Sequence, residues 1–194
     1  MSVFSSIDRR ILAIALPSIV SNITVPLLGL VDVAVTGHMG ADGDTVGALP
    51  ASYYVGAIAV GGMLFNIIYW MFGFLRMGTG GETAQAWGRR DLDGVVLLLV
   101  RSLLLALVLA LVLMALSPLV RDGALWYIAP EAEVASLART YFNICIWGAV
   151  PALGLFAMNG WYIGMQNSRF PMIVAIGQNL LNIACSIFFV YALG

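Results

Sequence analysis

The stretch ILAIALPSIVSNITVPLLGLVDVAVTG, residues 11–37, decides the fold, because it is apolar almost throughout and contains a single acid, Asp32. A helix that crosses a bilayer needs about 20 such residues, so this stretch is long enough to span. No basic residue lies between Arg10 and Arg76 to pair with Asp32. A carboxylate near the bilayer centre costs roughly 2.5 kcal/mol or more, so such acids usually face a polar cavity on a proton or ion path. Asp32 is therefore the first candidate functional residue.

The composition is that of a membrane protein. Hydrophobic residues make up 61% of the 194 residues and charged residues only 10%, which is far less charge than a soluble domain carries. The nine basic residues are all arginine and the formal net charge is −1, so the composition does not favour nucleic-acid binding. His38 has no second ligand nearby in sequence, and Cys145 and Cys185 follow no metal-ligand spacing, so no metal site is predicted.

Five stretches have spanning length: 11–37, 51–75, 94–116, 138–162 and 171–193. Lipid cannot satisfy the backbone of an open sheet, so the predicted fold is an all-α membrane protein, a bundle of five transmembrane helices in a single domain, residues 1–194. Asp91 and Asp93 precede the third span and Pro171 opens the fifth, as expected for helix starts. Residues 76–94 are predicted to extend the second helix and then turn.

The arginines predict the orientation. The amino terminus and the second and fourth connections between spans form one set, which holds or adjoins Arg9, Arg10, Arg76, Arg89, Arg90, Arg101 and Arg169. The first and third connections form the other set, which holds or adjoins only Arg121 and Arg139, together with Asp42, Asp44, Asp122, Glu131 and Glu133. Because positive charge accumulates in cytoplasmic loops, the amino terminus is predicted to be cytoplasmic.

Polar residues form a stripe on two of the predicted helices. At about 100° per residue, the stripe on the first span lies within about 80° of Asp32 and contains Ser18, Ser21, Asn22, Gly29 and Thr36. The stripe on the fifth span covers about 120° and contains Gln178, Asn179, Asn182, Cys185 and Ser186. Either the stripes face each other around a polar site, or the side chains only bond helix to helix. The substrate-cavity candidates are Asn22, Thr36, Gln178 and Asn66, although Asn66 and Trp147 could instead pack in the core.

Prolines and glycines predict where helices bend and touch. Pro17 and Pro26 interrupt the first span and Pro151 the fourth; each proline is either a working hinge or a static kink. Small residues allow close helix contact, which is predicted at Gly56, Gly61, Gly62, Gly160 and Gly164. Gly78, Gly80 and Gly81 do not form a phosphate loop, since no Gly-Lys-Ser/Thr follows them.

Three motifs carry a family resemblance. SNITVPLLGLVDVAVTGHMG (21–40), FGFLRMGTGGETAQAWG (72–88) and GWYIGMQNSRFP (160–171) resemble the DinF-like branch of the multidrug and toxic compound extrusion family. The resemblance implies a secondary antiporter of the inner membrane, not an enzyme, with twelve helices in two six-helix lobes. Such antiporters expel small cationic or amphipathic compounds in exchange for protons or sodium ions and use no other cofactor. The chain resembles the first five helices of the amino-terminal lobe, so we expect a truncated product or a missing carboxy-terminal lobe.

The resemblance also assigns the coupling site. Family members commonly combine the first-helix Asp with a fifth-helix Asn and, four residues later, an Asp. Here Asp32 and Asn182 match, whereas Ser186 stands at the acidic position and Asn179 lies one turn before Asn182. With one carboxylate fewer, coupling to protons through Asp32 becomes the simpler hypothesis. Glu82 also departs from the family pattern, and we expect its side chain to be solvated or paired with an arginine.

Two alternatives remain open at this stage. A flippase for lipid-linked sugars belongs to the same superfamily, but its groove should be cationic to hold pyrophosphate. The chain could also be a non-transporting assembly subunit that docks on another lobe. The sequence favours drug, toxin or metabolite export coupled to protons or sodium ions.

Overall fold

The computed structural model describes residues 12, 15, 19 and 50–192, and every regular element among them is helical. Leu12, Ala15 and Ile19 are helical residues within the predicted first span. Six α-helices follow, with one 3₁₀ helix, Ile146–Gly148, between the fourth and fifth. The α-helices are α1 (Ala51–Met71), α2 (Gly73–Gly88), α3 (Leu92–Ile128), α4 (Ala132–Cys145), α5 (Ala149–Gly164) and α6 (Arg169–Ala192).

Joined end to end, these helices give four units that are long and apolar enough to cross a membrane: Ser52–Gly88, Leu92–Ile128, Ala132–Gly164 and Arg169–Phe188. They match the second to fifth predicted spans. The first predicted span, 11–37, lies outside the described residues apart from the three positions named above. An all-helical membrane fold is therefore confirmed, whereas the number five stays a prediction.

Several helices extend beyond the predicted spans. The third predicted span ends at residue 116, but α3 continues to Ile128; the fourth begins at 138, but α4 begins at Ala132. The helices are longer than the spans because hydropathy detects only the part of a helix inside the hydrocarbon, and helix formation continues wherever the backbone can bond to itself. The predicted extension of the second span is present as α2, which also shows that Gly78, Gly80 and Gly81 are helical.

The helix ends follow local chemistry. Asp91 caps α3, since its side-chain oxygen accepts a hydrogen bond from the Gly94 amide at 2.9 Å. The three described turns each contain a residue in the left-handed region: Arg90 at φ 59°, Ala129 at φ 47° and Gln166 at φ 59°. This conformation ends a helix by turning the chain back at once. The turns are correspondingly short.

Two prolines have different local solutions. Pro151 lacks an amide hydrogen and its ring crowds the carbonyl of Trp147, four residues earlier, and the chain adopts the 3₁₀ turn Ile146–Gly148 there. Pro118 lies inside α3 without ending it. The carbonyl that Pro118 leaves unbonded belongs to Met114, and the Ser117 hydroxyl donates to that oxygen at 2.7 Å. Ser117 thus replaces the missing backbone bond.

The first three membrane units pack side by side. α1 packs against α4 and α2 against α5, so these two units run parallel, while α3 runs antiparallel and packs on α2 and α5. Phe65 of α1 stacks on Phe142 of α4, with ring centroids 4.8 Å apart. The core around this pair includes Leu64, Ile68, Ala106, Ala110, Ile146, Ala149, Leu153 and Ala157. Alanines on α3 and α5 allow the backbones to approach closely.

The closest approach is between α2 and α5. A Cβ atom added to Gly164 would lie 2.7 Å from the Gly80 carbonyl oxygen and 2.7 Å from Thr83 Cβ. A Cβ added to Gly160 would likewise collide with the Arg76 carbonyl oxygen. The predicted glycine contacts are confirmed here and at Gly61, which faces the Tyr141 ring, whereas Gly62 has nothing within 4 Å.

Replacing Gly164 by alanine should loosen this crossing, because backbone atoms and a β-branched side chain occupy the space that its methyl group needs. We expect a loss of about 1–3 kcal/mol in the free energy of unfolding. The matched control is Gly154→Ala in the same helix, where nothing lies within 4 Å. Unfolding by denaturing detergent measures both, and equal stability of the two variants would contradict the packing described.

The repair of α3 by Ser117 can be isolated with a double-mutant cycle. Ser117→Ala alone leaves the Met114 carbonyl unbonded and should destabilise the chain by about 0.5–1.5 kcal/mol. In a Pro118→Ala background the backbone amide returns, so the same substitution should cost almost nothing. Detergent unfolding of the four chains gives the coupling, and a Ser117→Ala effect of equal size in both backgrounds would disprove the repair.

Candidate functional site

The polar stripe predicted on the fifth span lies on α6. One regular helix carries Gln178, Asn179, Asn182, Cys185 and Ser186, so their predicted common arc is present. The Asn182 side-chain oxygen accepts a hydrogen bond from the Ser186 hydroxyl at 3.5 Å, one helical turn away. Asn179 is buried, Ser186 half-buried, and Gln178 and Asn182 are exposed. The pair Asn182–Ser186 is the best-defined polar feature among the predicted coupling residues.

This pair offers two kinds of chemistry. The Asn182 oxygen and the Ser186 oxygen are neutral hard ligands of the type that coordinate a cation. Because the Ser186 hydroxyl donates to the Asn182 oxygen, the amide nitrogen of Asn182 faces elsewhere as a donor; no described residue bonds to it. An amide donor of this kind stabilises a neighbouring carboxylate. The bond length of 3.5 Å is near the upper limit for a hydrogen bond, so this bond is weak.

Asn66 lines a cavity of about 320 Å³ together with Tyr69, Trp70, Arg76 and Phe156. Its side chain is exposed, so the expectation that Asn66 packs in the core was wrong, and its role in a substrate cavity stays a prediction. Trp147 is 71% exposed and is not a core residue either. The cavity combines aromatic walls, one amide and one guanidinium.

Among the described residues, Glu82 has the exposed side chain of its first expected environment and lacks the arginine pair of the second. Its side chain is exposed, as predicted, and it lines a second cavity with Arg101. Within the part of the chain that the structure describes, no ion pair within 4.0 Å involves either residue; the two such pairs found there both involve Asp122. No pattern in the sequence indicates that Arg101 of α3 shares a cavity with Glu82.

A polar network at the opposite end of α3 was not anticipated. Arg121 pairs with Asp122 at 3.0 Å and also donates to the Asn143 side chain of α4. Arg139 of α4 lies 3.6 Å from the same carboxylate. The signal that could have found it is the placement of Arg121, Asp122 and Arg139 at adjoining ends of two consecutive spans. At the other end of the bundle, the Trp161 indole donates to the Val95 carbonyl at 2.9 Å and ties α5 to α3.

The remaining predicted site residues belong to the first predicted span, 11–37. Asp32, Asn22, Thr36, Pro17 and Pro26 lie outside the described residues. Of the two cysteines, Cys145 is half-buried and Cys185 exposed, and both are free thiols. Whether the stripe on the first span faces α6 therefore stays a prediction.

The geometry defines a multi-pass helical membrane protein, and comparisons with known proteins identify its family. The profile of the MatE family matches residues 17–188. The chain belongs to the MatE family.

Two of the chain's relatives are named for multidrug resistance or toxin extrusion. Over 193 residues, 100% of this chain and 40% of the relative, it is 36% identical to DNA damage-inducible protein F of Escherichia coli. It is 26% identical over 174 residues to a probable multidrug resistance protein NorM of Bradyrhizobium diazoefficiens, covering 89% of this chain and 34% of the relative. It is 28% identical over 185 residues to mouse multidrug and toxin extrusion protein 2, covering 94% of this chain and 30% of the relative.

A solved structure shares the fold. A MOP superfamily transporter from Pyrococcus furiosus superimposes with a TM-score of 0.80 at 22% identity, covering 95% of this chain and 38% of that one. The chain thus spans between 30% and 40% of the length of these relatives.

Proposed function

We propose that this chain forms most of the amino-terminal lobe of a cation-coupled antiporter that exports small cationic or amphipathic compounds. The observation that carries the proposal is the Asn182–Ser186 pair on α6, in a chain that belongs to a family of extrusion transporters. In this proposal Asp32 is the group that binds the coupling ion. Asn182 and Ser186 are the neutral groups that complete its site, with buried Asn179 one turn away.

The chemistry of α6 favours protons as the coupling ion. Ser186 supplies an oxygen but no charge, so the site has one carboxylate, and a sodium ion would be held by less opposite charge than a two-acid site offers. A single carboxylate can still take up and release a proton. The Asn182 amide then stabilises the ionised Asp32 carboxylate by donating a hydrogen bond to it. Protonation of Asp32 removes this stabilisation and changes the contacts between the first span and α6. Coupling requires that ion and substrate bind the alternating states unequally.

The cavity around Asn66 is the described candidate for part of the substrate path, with Asn22, Thr36 and Gln178 as the further predicted members. Tyr69, Trp70 and Phe156 offer the apolar and aromatic surface that an amphipathic compound requires. Arg76 in the same cavity favours the alternative of a lipid-linked pyrophosphate. A pyrophosphate carries several negative charges and calls for more than one guanidinium, so export of amphipathic compounds ranks first.

We further propose that the five spans form one domain, residues 1–194, in the inner membrane with the amino terminus in the cytoplasm. Among the described residues, Arg76, Arg89, Arg90, Arg101 and Arg169 lie toward one end of the bundle. The other end has Arg121 and Arg139 beside Asp122, Glu131 and Glu133, which supports this orientation. A second lobe, on the same or another polypeptide, would provide the partner against which this lobe rocks. The share of its relatives that the chain covers supports that arrangement.

Asp32→Asn tests the proposed function directly. In the transporter completed by its second lobe and reconstituted in vesicles, this variant should abolish efflux driven by a proton gradient, because an amide cannot carry the proton. Asp44→Asn, in the polar stretch that follows, is the matched control and should transport normally. Efflux through Asp32→Asn at the parental rate would reject the assignment.

Ser186→Asp should move the coupling toward sodium, because a second carboxylate four residues after Asn182 adds the charge that a bound cation needs. We expect the initial efflux rate under an imposed sodium gradient to rise about tenfold over the parent, a change of about 1.4 kcal/mol. Ser186→Ala is the control for removal of the hydroxyl alone. No sodium response in Ser186→Asp would show that Ser186 does not belong to the coupling site.

A further inference from the structure

A second cavity, of about 190 Å³, lies between α2 and α3 and is separate from α6 and from the cavity around Asn66. Six of its lining residues matter here: Phe74, Thr79 and Glu82 from α2, and Arg101, Ser102 and Leu105 from α3. We call it the α2–α3 cleft. Neither the family match nor the proposed export function gives it a role.

Charges on α3 indicate the depth of this cleft in the bilayer. Between Arg101 and Arg121, α3 contains no ionisable residue. This interval is about 30 Å long at 1.5 Å per residue, which matches the thickness of the hydrocarbon core. Arg101 therefore lies at one edge of the hydrocarbon, where lipid headgroups begin, and Arg121 lies at the other.

The lining of the cleft changes from charged to apolar with depth. Measured along the helices from the turn that joins α2 to α3, Glu82 lies about 9 Å away and Thr79 and Arg101 about 14 Å. Leu105 and Phe74 lie about 20 Å from the turn, deeper in the bilayer. Phe74 is 55% exposed and Leu105 47% exposed, so both offer apolar surface to a lipid chain. This order is that of an amphipathic lipid, with its headgroup outward and its chains inward.

The polar groups of the cleft have unused binding capacity. In the described part of the chain, Glu82 and Arg101 take part in no ion pair within 4.0 Å, either with each other or with other residues. Thr79 is only 7% exposed. Ser102 donates to the Leu99 carbonyl, which leaves its oxygen able to accept. Thr79 lines the cleft, and its hydroxyl can donate to a bound group there.

We propose that the α2–α3 cleft binds the headgroup of a phosphoethanolamine lipid. The Arg101 guanidinium donates to the lipid phosphate, as its planar donors suit a phosphate well. The Glu82 carboxylate accepts from the primary ammonium, and the Thr79 hydroxyl donates to a phosphate or ester oxygen. The acyl chains lie on Phe74 and Leu105.

The two charges select this headgroup over other common ones. An anionic lipid would gain Arg101 but would bring its negative charge near Glu82. A choline headgroup has the same net charge as phosphoethanolamine but no N–H group to donate to Glu82. The site carries one acid and one base and thus matches a zwitterion whose cationic end is a hydrogen-bond donor.

The test is lipid retention by the full chain in native mass spectrometry, with phosphatidylethanolamine, phosphatidylcholine and phosphatidylglycerol of identical acyl chains. We expect the parent chain to retain phosphatidylethanolamine about tenfold more than either competitor. Glu82→Gln should remove that preference, whereas Arg101→Gln should weaken retention of all phospholipids. Glu133→Gln, an exposed acid in the first turn of α4, is the matched control and should behave as the parent does.

Glu82 is exposed, so its substitution should leave detergent unfolding unchanged, and a lost preference can then be ascribed to the cleft. Soluble glycerophosphoethanolamine, which lacks acyl chains, should not displace the lipid; displacement would show that the apolar half has no part. Equal retention of the three lipids by the parent, or an unaltered preference in Glu82→Gln, would overturn the proposal. A preference for phosphatidylglycerol would show an anion site at Arg101 instead.

Discussion

The fold depends on the close approach of the α2 and α5 backbones. In a lipid bilayer the hydrophobic effect does not drive apolar side chains together. Lipid tails are as apolar as leucine, so helices in a bilayer gain their stability from packing and from hydrogen bonds between helices. α2 and α5 pack closely at Gly80, Gly160 and Gly164, where no side chain separates the helices. The Trp161 indole adds a hydrogen bond to α3 beside this crossing.

The same crossing positions the polar features. α2 carries Glu82 on a face that looks toward α3, and Arg76, whose carbonyl lies against Gly160, also lines the cavity of Asn66. A wider separation of α2 and α5 would move both cavities at once. The contact between α2 and α5 thus determines both the packing and the candidate binding surfaces. Gly160 and Gly164, which contact Gly80, line neither cavity.

Local rules explain what the sequence predicted well. The Asp91 cap, the contacts of Gly160 and Gly164 and the proximity of Asn182 to Ser186 each depend on spacing along one helix or on residue size. Features that join distant parts of the chain were not predictable in this way. The network of Arg121 with Asn143 and the shared cleft of Glu82 and Arg101 follow from which helix faces meet, and hydropathy does not encode that. The relation of Asp32 to α6 belongs to the same class, since it depends on the contact of two distant helices.

The two breaks in the parallel units occur at nearly the same height. Phe65 and Phe142 stack on each other, and the irregular residue Phe72 and the 3₁₀ turn at Ile146 follow them by about 10 Å and 6 Å along their helices. The bundle is thereby divided into an α1–α4 half and an α2–α5 half. α3 runs beside both halves as one continuous helix. Ser117 bonds to the carbonyl that the one proline of α3 leaves free. A tilt of one half against the other would therefore change the contacts with α3, the continuous helix beside both halves.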